Sequence, residues 1–323
     1  AAAVFSRGVP PALAQNATPV STELVQTSSG PVAGVVTDGI ASYKGIPYTV
    51  PLIGDLRWSA PQAPPPWNEP LAATDFCPDC MQAATDGDTQ PMSEDCLALN
   101  IWRPYDDVMI DALLPVVLWI HGGGYVGGGA SAPWYDGTAF ARQGIVVVSC
   151  NYRLGRIGFF APSALVHSTD GPYANYGYLD QIAVLRWVQE NISGFGGDPH
   201  RVTLMGESAG GASVVHLLPS PLVEDGLFQQ AVILSGGGRL ALLDRPMESE
   251  HFGQLAATTV DDLFAASVGV IGGDQCPGGE QRVIVLDLGE PPDREDARLA
   301  DRLRPGAEDL LGDVVRHRHD ARL

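Results

Sequence analysis

Apolar residues along this chain gather in short runs. Five of them, at 99–102, 114–120, 144–151, 202–205 and 231–234, are each bounded by turn residues. Runs of that length without polar alternation predict strands buried on both faces. Upstream, between residues 18 and 61, β-rich stretches such as 31–36 and 40–48 alternate with Gly/Pro turns, and 61–70 is a proline-rich surface loop. Two segments change period. Residues 178–191 place Leu179, Ile182, Ala183 and Trp187 on one helical face. Residues 209–218 read as a second helix, stopped by Pro219. Strands alternating with helices predict an α/β chain with a mainly parallel central sheet and crossover helices. No internal repeat is visible.

Composition narrows this picture mainly by exclusion. Of 323 residues, 45% are hydrophobic and 18% charged, enough apolar material for a sizeable core and against a disordered chain. The longest apolar run, 113–120, is interrupted by Pro115 and is far too short to span a bilayer. Thirty-eight acidic residues against nineteen basic ones give a net charge of −19. Such a surface repels phosphate backbones and anionic lipid, which argues against nucleic acid and membrane insertion. Lys44 is the only lysine and no G-x-x-x-x-G-K occurs, which leaves little room for Schiff-base or P-loop chemistry.

The two ends differ from the middle. Ala12-Leu13-Ala14 before Gln15 has the form of a secretory cleavage site, so residues 1–17 read as a signal-peptide remnant or leader. A secreted or periplasmic protein is expected. Five cysteines (Cys77, Cys80, Cys96, Cys150 and Cys276) allow one or two disulfides there, with at least one thiol left over. Beyond Phe264 no aromatic residue occurs, and from Arg282 onward eight arginines stand beside ten acidic residues. A packed half-domain normally uses aromatic volume. The chain therefore divides into the leader, a body at 18–272 and a divergent charged tail at 273–323.

The strongest chemical signal is Gly206-Glu207-Ser208-Ala209-Gly210, between the run 202–205 and the helix that opens at Ala209. A nucleophilic serine must be lifted clear of its sheet, and a sharp strand-to-helix turn does so where glycines two residues to either side leave room. The helix N-terminus behind Ser208 adds positive potential where an oxyanion forms. The second signal is His121-Gly122-Gly123-Gly124-Tyr125, at the end of the run 114–120. Consecutive glycines can turn their N–H groups toward one point, which suits a developing negative charge. The alternative dinucleotide fingerprint at Gly122, Gly124 and Gly127 lacks a following helix, since Ala-Ser-Ala-Pro133 comes next.

Other candidates carry structural readings. Cys77-Pro-Asp-Cys80 has metal or redox spacing, but no second pair accompanies it, and no metal or cofactor is expected. His216, two turns along the helix from Ser208, reads as a packed core residue, and His121 as a support for the glycine loop. His167, His200 and His251 carry no mark of a role. The sequon at Asn16 suits a surface loop, whereas the one at Asn191 continues a helix and reads as coincidence.

Taken together, these motifs resemble the type-B carboxylesterase family, which has the α/β-hydrolase fold and includes the cholinesterases. The register holds from about Pro31 to about Gly238. It includes Ser93-Glu94-Asp95-Cys96-Leu97, the glycine loop, Asn151-Tyr152-Arg153-Leu154-Gly155, Leu179-Asp180-Gln181, Phe195-Gly196-Gly197-Asp198-Pro199 and the serine turn. The resemblance implies an α/β-hydrolase fold with helices on both faces of its sheet. It makes Ser208 the nucleophile of an acyl-enzyme mechanism, and Gly123, Gly124 and the amide of Ala209 the oxyanion hole. It also implies a disulfide between Cys80 and Cys96 and ion pairs Arg57–Glu94 and Arg153–Asp180. The substrate class is a small-molecule carboxylic ester. The loop from Met81 to Asp95 lacks the aromatic residue with which cholinesterases bind quaternary ammonium, so a broad carboxylesterase is expected.

The family's acid and histidine follow the nucleophile in a stretch that the resemblance does not reach, since it fades after about Gly272. The fold is thus expected to be incomplete at its C-terminal end. A substitute can be read in the tail: 282–288 is strand-like, Asp287, Glu290 and Asp293 end or follow it, and His317 and His319 come after. The order Ser, acid, His is the one this fold uses. Against it, His319 stands four residues from Leu323, and the tail has no aromatic residue. The expectation is therefore an incomplete triad with little turnover by the chain alone. The rival reading is a catalytically incomplete or non-catalytic binding member of the same fold.

Overall fold

The structure, a computed structural model, describes residues 20–21, 24–83, 90–105, 112–160, 174–236 and 283–287. Nine strands form its main sheet: β1 (Val20–Ser21), β2 (Val35–Thr37), β3 (Ile40–Pro47), β4 (Ala98–Pro104), β5 (Leu114–Ile120), β6 (Val146–Cys150), β7 (Gly197–Glu207), β8 (Gln230–Leu234) and β9 (Val283–Asp287). They lie in the order β1-β2-β3-β4-β6-β5-β7-β8-β9. The parallel character expected from the sequence belongs to the four strands β6, β5, β7 and β8. From β1 to β6 every pairing is antiparallel, as is that of β9 with β8. The sheet is therefore mixed, with its parallel portion centred on β5 and β7, the strands that carry the two glycine motifs. Pro115, which has no N–H to give, sits where the β5–β7 register shifts, a position a sheet tolerates.

Among the described residues four α-helices accompany it: α1 (Thr138–Ala141), α2 (Gly155–Gly158), α3 (Tyr176–Asn191) and α4 (Ala209–Leu217). On one face of the sheet Tyr43, Ile101, Leu118, Val148 and Leu204 pack with Val184, Leu185 and Val188 of α3 and with Val214 and Leu217 of α4. On the other, Trp102 and Val147 meet Ala141 of α1. Alternation of side chains along each strand produces the two layers. The helical face anticipated for α3 is broader than expected. Leu179 and Ala183 lie at a half-buried rim, and within the helix only Arg186 and Glu190 are exposed. The sheet covers one side of α3, and α2 and α4 cover others.

Burying α3 so completely brings Asp180 inside with it. Its side chain is 0% exposed and that of Arg153 is 2% exposed. The guanidinium of Arg153 donates to both Asp180 oxygens from Nε and Nη2, at 2.9 and 2.8 Å, and its backbone N–H adds a third bond at 2.9 Å. A charge so placed is tolerated only when paired and hydrogen-bonded on every side. Arg57 and Glu94 form a second bidentate pair, with both bonds at 2.6 Å. Both ion pairs implied by the resemblance are present. Residues 1–19, most of 237–323 and the candidates there, including Cys276, Glu290, Asp293, His317 and His319, lie outside the described residues. Val283–Asp287, within the segment read as a charged tail, adds a strand to the sheet edge.

Candidate active site

β5 and β7 run side by side, with Ile120 opposite Gly206, so their C-terminal ends open at the same edge. β7 continues to Glu207 and α4 begins at Ala209, leaving Ser208 alone between them. Its backbone sits at φ 54°, ψ −119°. For a residue with a Cβ, such a conformation costs about 1–3 kcal/mol and persists only where the surroundings enforce it. The enforcement is steric. A Cβ at Gly206 would run into the backbone of Gly210, and one at Gly210 into the carbonyl of Ile120. Two bonds complete the turn, from Ser208 N–H to the Leu234 carbonyl and from Ala212 N–H to the Ser208 carbonyl, each 2.9 Å. Ser208 itself remains half-buried. The N–H of Ala209, first residue of α4, has no acceptor within the helix.

The glycine loop after β5 is organised by its carbonyls. The Gly122 carbonyl lies 2.8 Å from Nδ1 of His121. The Gly123 carbonyl accepts from Val126 and Gly127, at 3.1 and 3.0 Å. A planar trans peptide points its N–H opposite its carbonyl. Capturing these two carbonyls therefore turns the N–H groups of Gly123 and Gly124 away from the turn. The loop packs against the serine: a Cβ at Gly122 would lie 2.9 Å from the Glu207 carbonyl and 3.2 Å from Ser208 Cβ. The carboxyl of Glu207, half-buried here, is pushed upward by desolvation.

His121 supports this loop from below. It is buried at 1% exposure, and desolvation lowers its pKa to about 4. The imidazole is therefore neutral at pH 7, and Nδ1, facing a carbonyl, carries the proton. Tyr152 stacks on it at 4.4 Å and donates its hydroxyl to the His121 carbonyl at 2.8 Å. His216 packs on Tyr178 and is half-buried, with its pKa lowered by desolvation. Exposed His200 lies in β7 and gives its N–H to Asp198. The imidazoles of His121 and His216 are thus engaged in packing, as expected, while exposed His200 is tied by its backbone alone. Asn191, the second sequon, is buried and bonds Ser28 and Trp187.

A disulfide joins Cys80 to Cys96. Cys77 is instead a free thiol, pushed up to about 12 by burial and donating to the Cys96 carbonyl at 3.2 Å. Two residues that sequence reasoning left without a role tie this region to the glycine loop. Asn151 gives Nδ2 to the Pro78 and Cys96 carbonyls and takes the Ala130 N–H at 2.8 Å. Gln82 pairs with the backbone of Gly128. Asn151 lies within a motif already noted, but Gln82 stands in a polar loop with no pattern to single it out. Among the described residues no group of three or more His, Cys, Asp or Glu is placed to hold a metal, and no helix is long and apolar enough to cross a membrane.

The chain is similar to known proteins. A model of the carboxylesterase family matches residues 21–260. The fumonisin B1 esterase of Sphingopyxis macrogoltabida is 43% identical over 251 residues, covering 75% of this chain and 45% of its own length. The para-nitrobenzyl esterase of Bacillus subtilis is 43% identical over 223 residues, covering 67% of this chain and 44% of its own. A solved PNB esterase superposes with a TM-score of 0.67 at 37% identity, over 78% of this chain and 54% of that one. The chain thus spans about half the length of the relatives it matches.

Proposed function

The chain belongs to the carboxylesterase family, and from that premise we propose that it serves as the nucleophile-bearing part of a serine-dependent carboxylic ester hydrolase. Ser208 Oγ attacks the ester carbonyl and its proton passes to a general base. The N–H groups of Gly123, Gly124 and Ala209 hold the tetrahedral oxyanion, the alcohol leaves, and water releases the acid from the acyl-enzyme. The observation that carries this reading is the convergence of the strained Ser208 turn with a loop whose two carbonyls are tied back. His121 and His216 are packed and His200 lies near the far end of β7 from Ser208, which supports a base supplied from outside the described residues. Absence of an aromatic residue from Met81 to Asp95 favours a broad carboxylesterase over a choline ester specialist. The Cys80–Cys96 disulfide favours an oxidising, secreted or periplasmic setting.

Prolonged treatment with a fluorophosphonate, followed by peptide mass mapping, tests the assignment. The adduct is expected on Ser208 and is absent from Ser208→Ala. Modification of Ser213 or Ser235 in place of Ser208 overturns it. Hydrolysis of a short aryl ester, measured beside His317→Ala and His319→Ala, then identifies whether the tail supplies the base.

A further inference from the structure

We propose that Gln82 is a positioning residue for the oxyanion loop, fixing the direction of the Gly123 and Gly124 N–H groups from its place beside the Cys80–Cys96 disulfide. Its carboxamide pairs both backbone groups of one residue. Nε2 donates to the Gly128 carbonyl at 2.8 Å, and Oε1 accepts the Gly128 N–H at 2.7 Å. The second hydrogen of Nε2 goes to the Cys80 carbonyl at 3.0 Å. Gln82 is thus held by the disulfide-bonded residue two positions before it while it grips the loop.

The grip acts at a sensitive place. Gly123 and Gly128 are exposed, and a glycine has no side chain by which packing could anchor it. Tyr125 packs the middle of the loop on Phe159 and Tyr178, but at the two glycines themselves hydrogen bonds must hold it. Gly127, next to the gripped residue, gives its N–H to the Gly123 carbonyl at 3.0 Å, the bond that turns the Gly124 N–H outward. Gly128 itself lies against the preceding peptide: a Cβ there would stand 2.7 Å from the Gly122 carbonyl and 2.8 Å from His121 Nδ1. A shift of Gly128 carries Gly127 with it and loosens the contact with the Gly122 peptide. Ser131, three residues on, donates to Asp79 at 2.7 Å, so the segment around Cys80 braces the loop at two points.

The functional weight of this proposal rests on the ester-hydrolase reading, so the test has two independent readouts. The first is hydrogen exchange at the amides of residues 123–128 in the full chain. The second is affinity for phenylboronic acid, whose boron takes up the serine oxygen and becomes a tetrahedral anion, followed by boron NMR. Gln82→Ala is expected to speed exchange and to weaken the boronate adduct by about tenfold each, the order expected when its two bonds to Gly128 are lost at a partly exposed site. Gln82→Glu, of the same shape but turning an oxygen toward two carbonyls, is expected to do at least as much. Both variants should retain the wild-type melting temperature, because Gln82 is only half-buried. Exchange unchanged in both variants overturns the proposal. Faster exchange with boronate affinity unchanged also overturns it, since the donors are then not positioned by the clamp. A wild-type chain that forms no adduct, equal to Ser208→Ala, overturns the ester-hydrolase reading, while accelerated exchange in that case still supports Gln82 as what orients the loop.

Discussion

The ends of β5 and β7 are neighbours in one parallel sheet, yet they leave it by opposite means. β7 exits through a single residue whose conformation is imposed by crowding, because Gly206 and Gly210 have no room for a methyl group. β5 exits through a long glycine loop with φ values of 108°, 62° and 100° at Gly123, Gly124 and Gly128. Hydrogen bonds from His121, Val126, Gly127 and Gln82 hold that loop. The nucleophile is thus fixed by repulsion and its oxyanion donors by attraction. Repulsion rises steeply with displacement, so the serine turn should fail abruptly. Hydrogen bonds give way one at a time, so the loop should fail by degrees.

The sharpest way to break this contrast is Gly210→Ala. Its Cβ falls inside the Ile120 carbonyl, and a loss of about 3 kcal/mol or more is expected in urea unfolding. A variant as stable as the wild type would show the turn to be slack and remove the distinction. Replacing Cys80 and Cys96 together by serine should cost about 3 kcal/mol in the chain-entropy model, for a separation of 16 residues. Calorimetry with and without reductant checks it.

His121 gives the loop a pH dependence opposite in sign to that of Glu207 in the serine turn, whose carboxyl desolvation pushes upward. The His121 pKa is held down to about 4, against an ordinary value of 6.5. The unfolded chain therefore binds the proton first on acidification. The contribution is complete above pH 6.5 and lost as pH falls toward 4, about 3 kcal/mol in all. Stability of wild type minus His121→Asn, measured across that window, isolates the slope; a flat difference would count against a buried neutral imidazole. Tyr152→Phe, which removes the bond to the His121 carbonyl, should cost about 1–2 kcal/mol in urea unfolding. Smallest is Gly124→Ala. Its Cβ would meet only Val126 Cγ2 at 3.8 Å, so the penalty is the left-handed backbone alone, about 1 kcal/mol by thermal melting.

The sequence displays these two corners unequally. The serine turn is legible because sterics permit so few residues there: glycines at two fixed offsets, an apolar run before and a helix after. The five apolar runs fall on strands for the same local reason. Direction was not legible. β4 is buried on both faces through Ala98, Leu99, Asn100, Ile101 and Trp102, as a parallel strand would be, yet it pairs antiparallel with both neighbours. Burial pattern alone carries no strand polarity. Gln82 escaped notice because its partner lies 46 residues away and is backbone, which imposes no residue type. The all-round burial of α3 was hidden in a similar way. The resemblance already implied Arg153 for Asp180, but nothing in the sequence pairs Gln181 with Ser213.

The strand order also bears on how the molecule is made. β5 reaches its final surroundings only when β7 arrives, because β7 alone covers the edge that β6 leaves open. A ribosome must add the whole stretch from Ile120 to the end of β7 before that happens, on the order of ten seconds at usual elongation rates. Through that interval Val116, Leu118 and Ile120 present an unpaired apolar edge to their surroundings. The nascent chain is therefore most prone to mispairing with its own copies just before its serine turn is synthesised, and a holdase acting on this intermediate should raise the yield of folded protein.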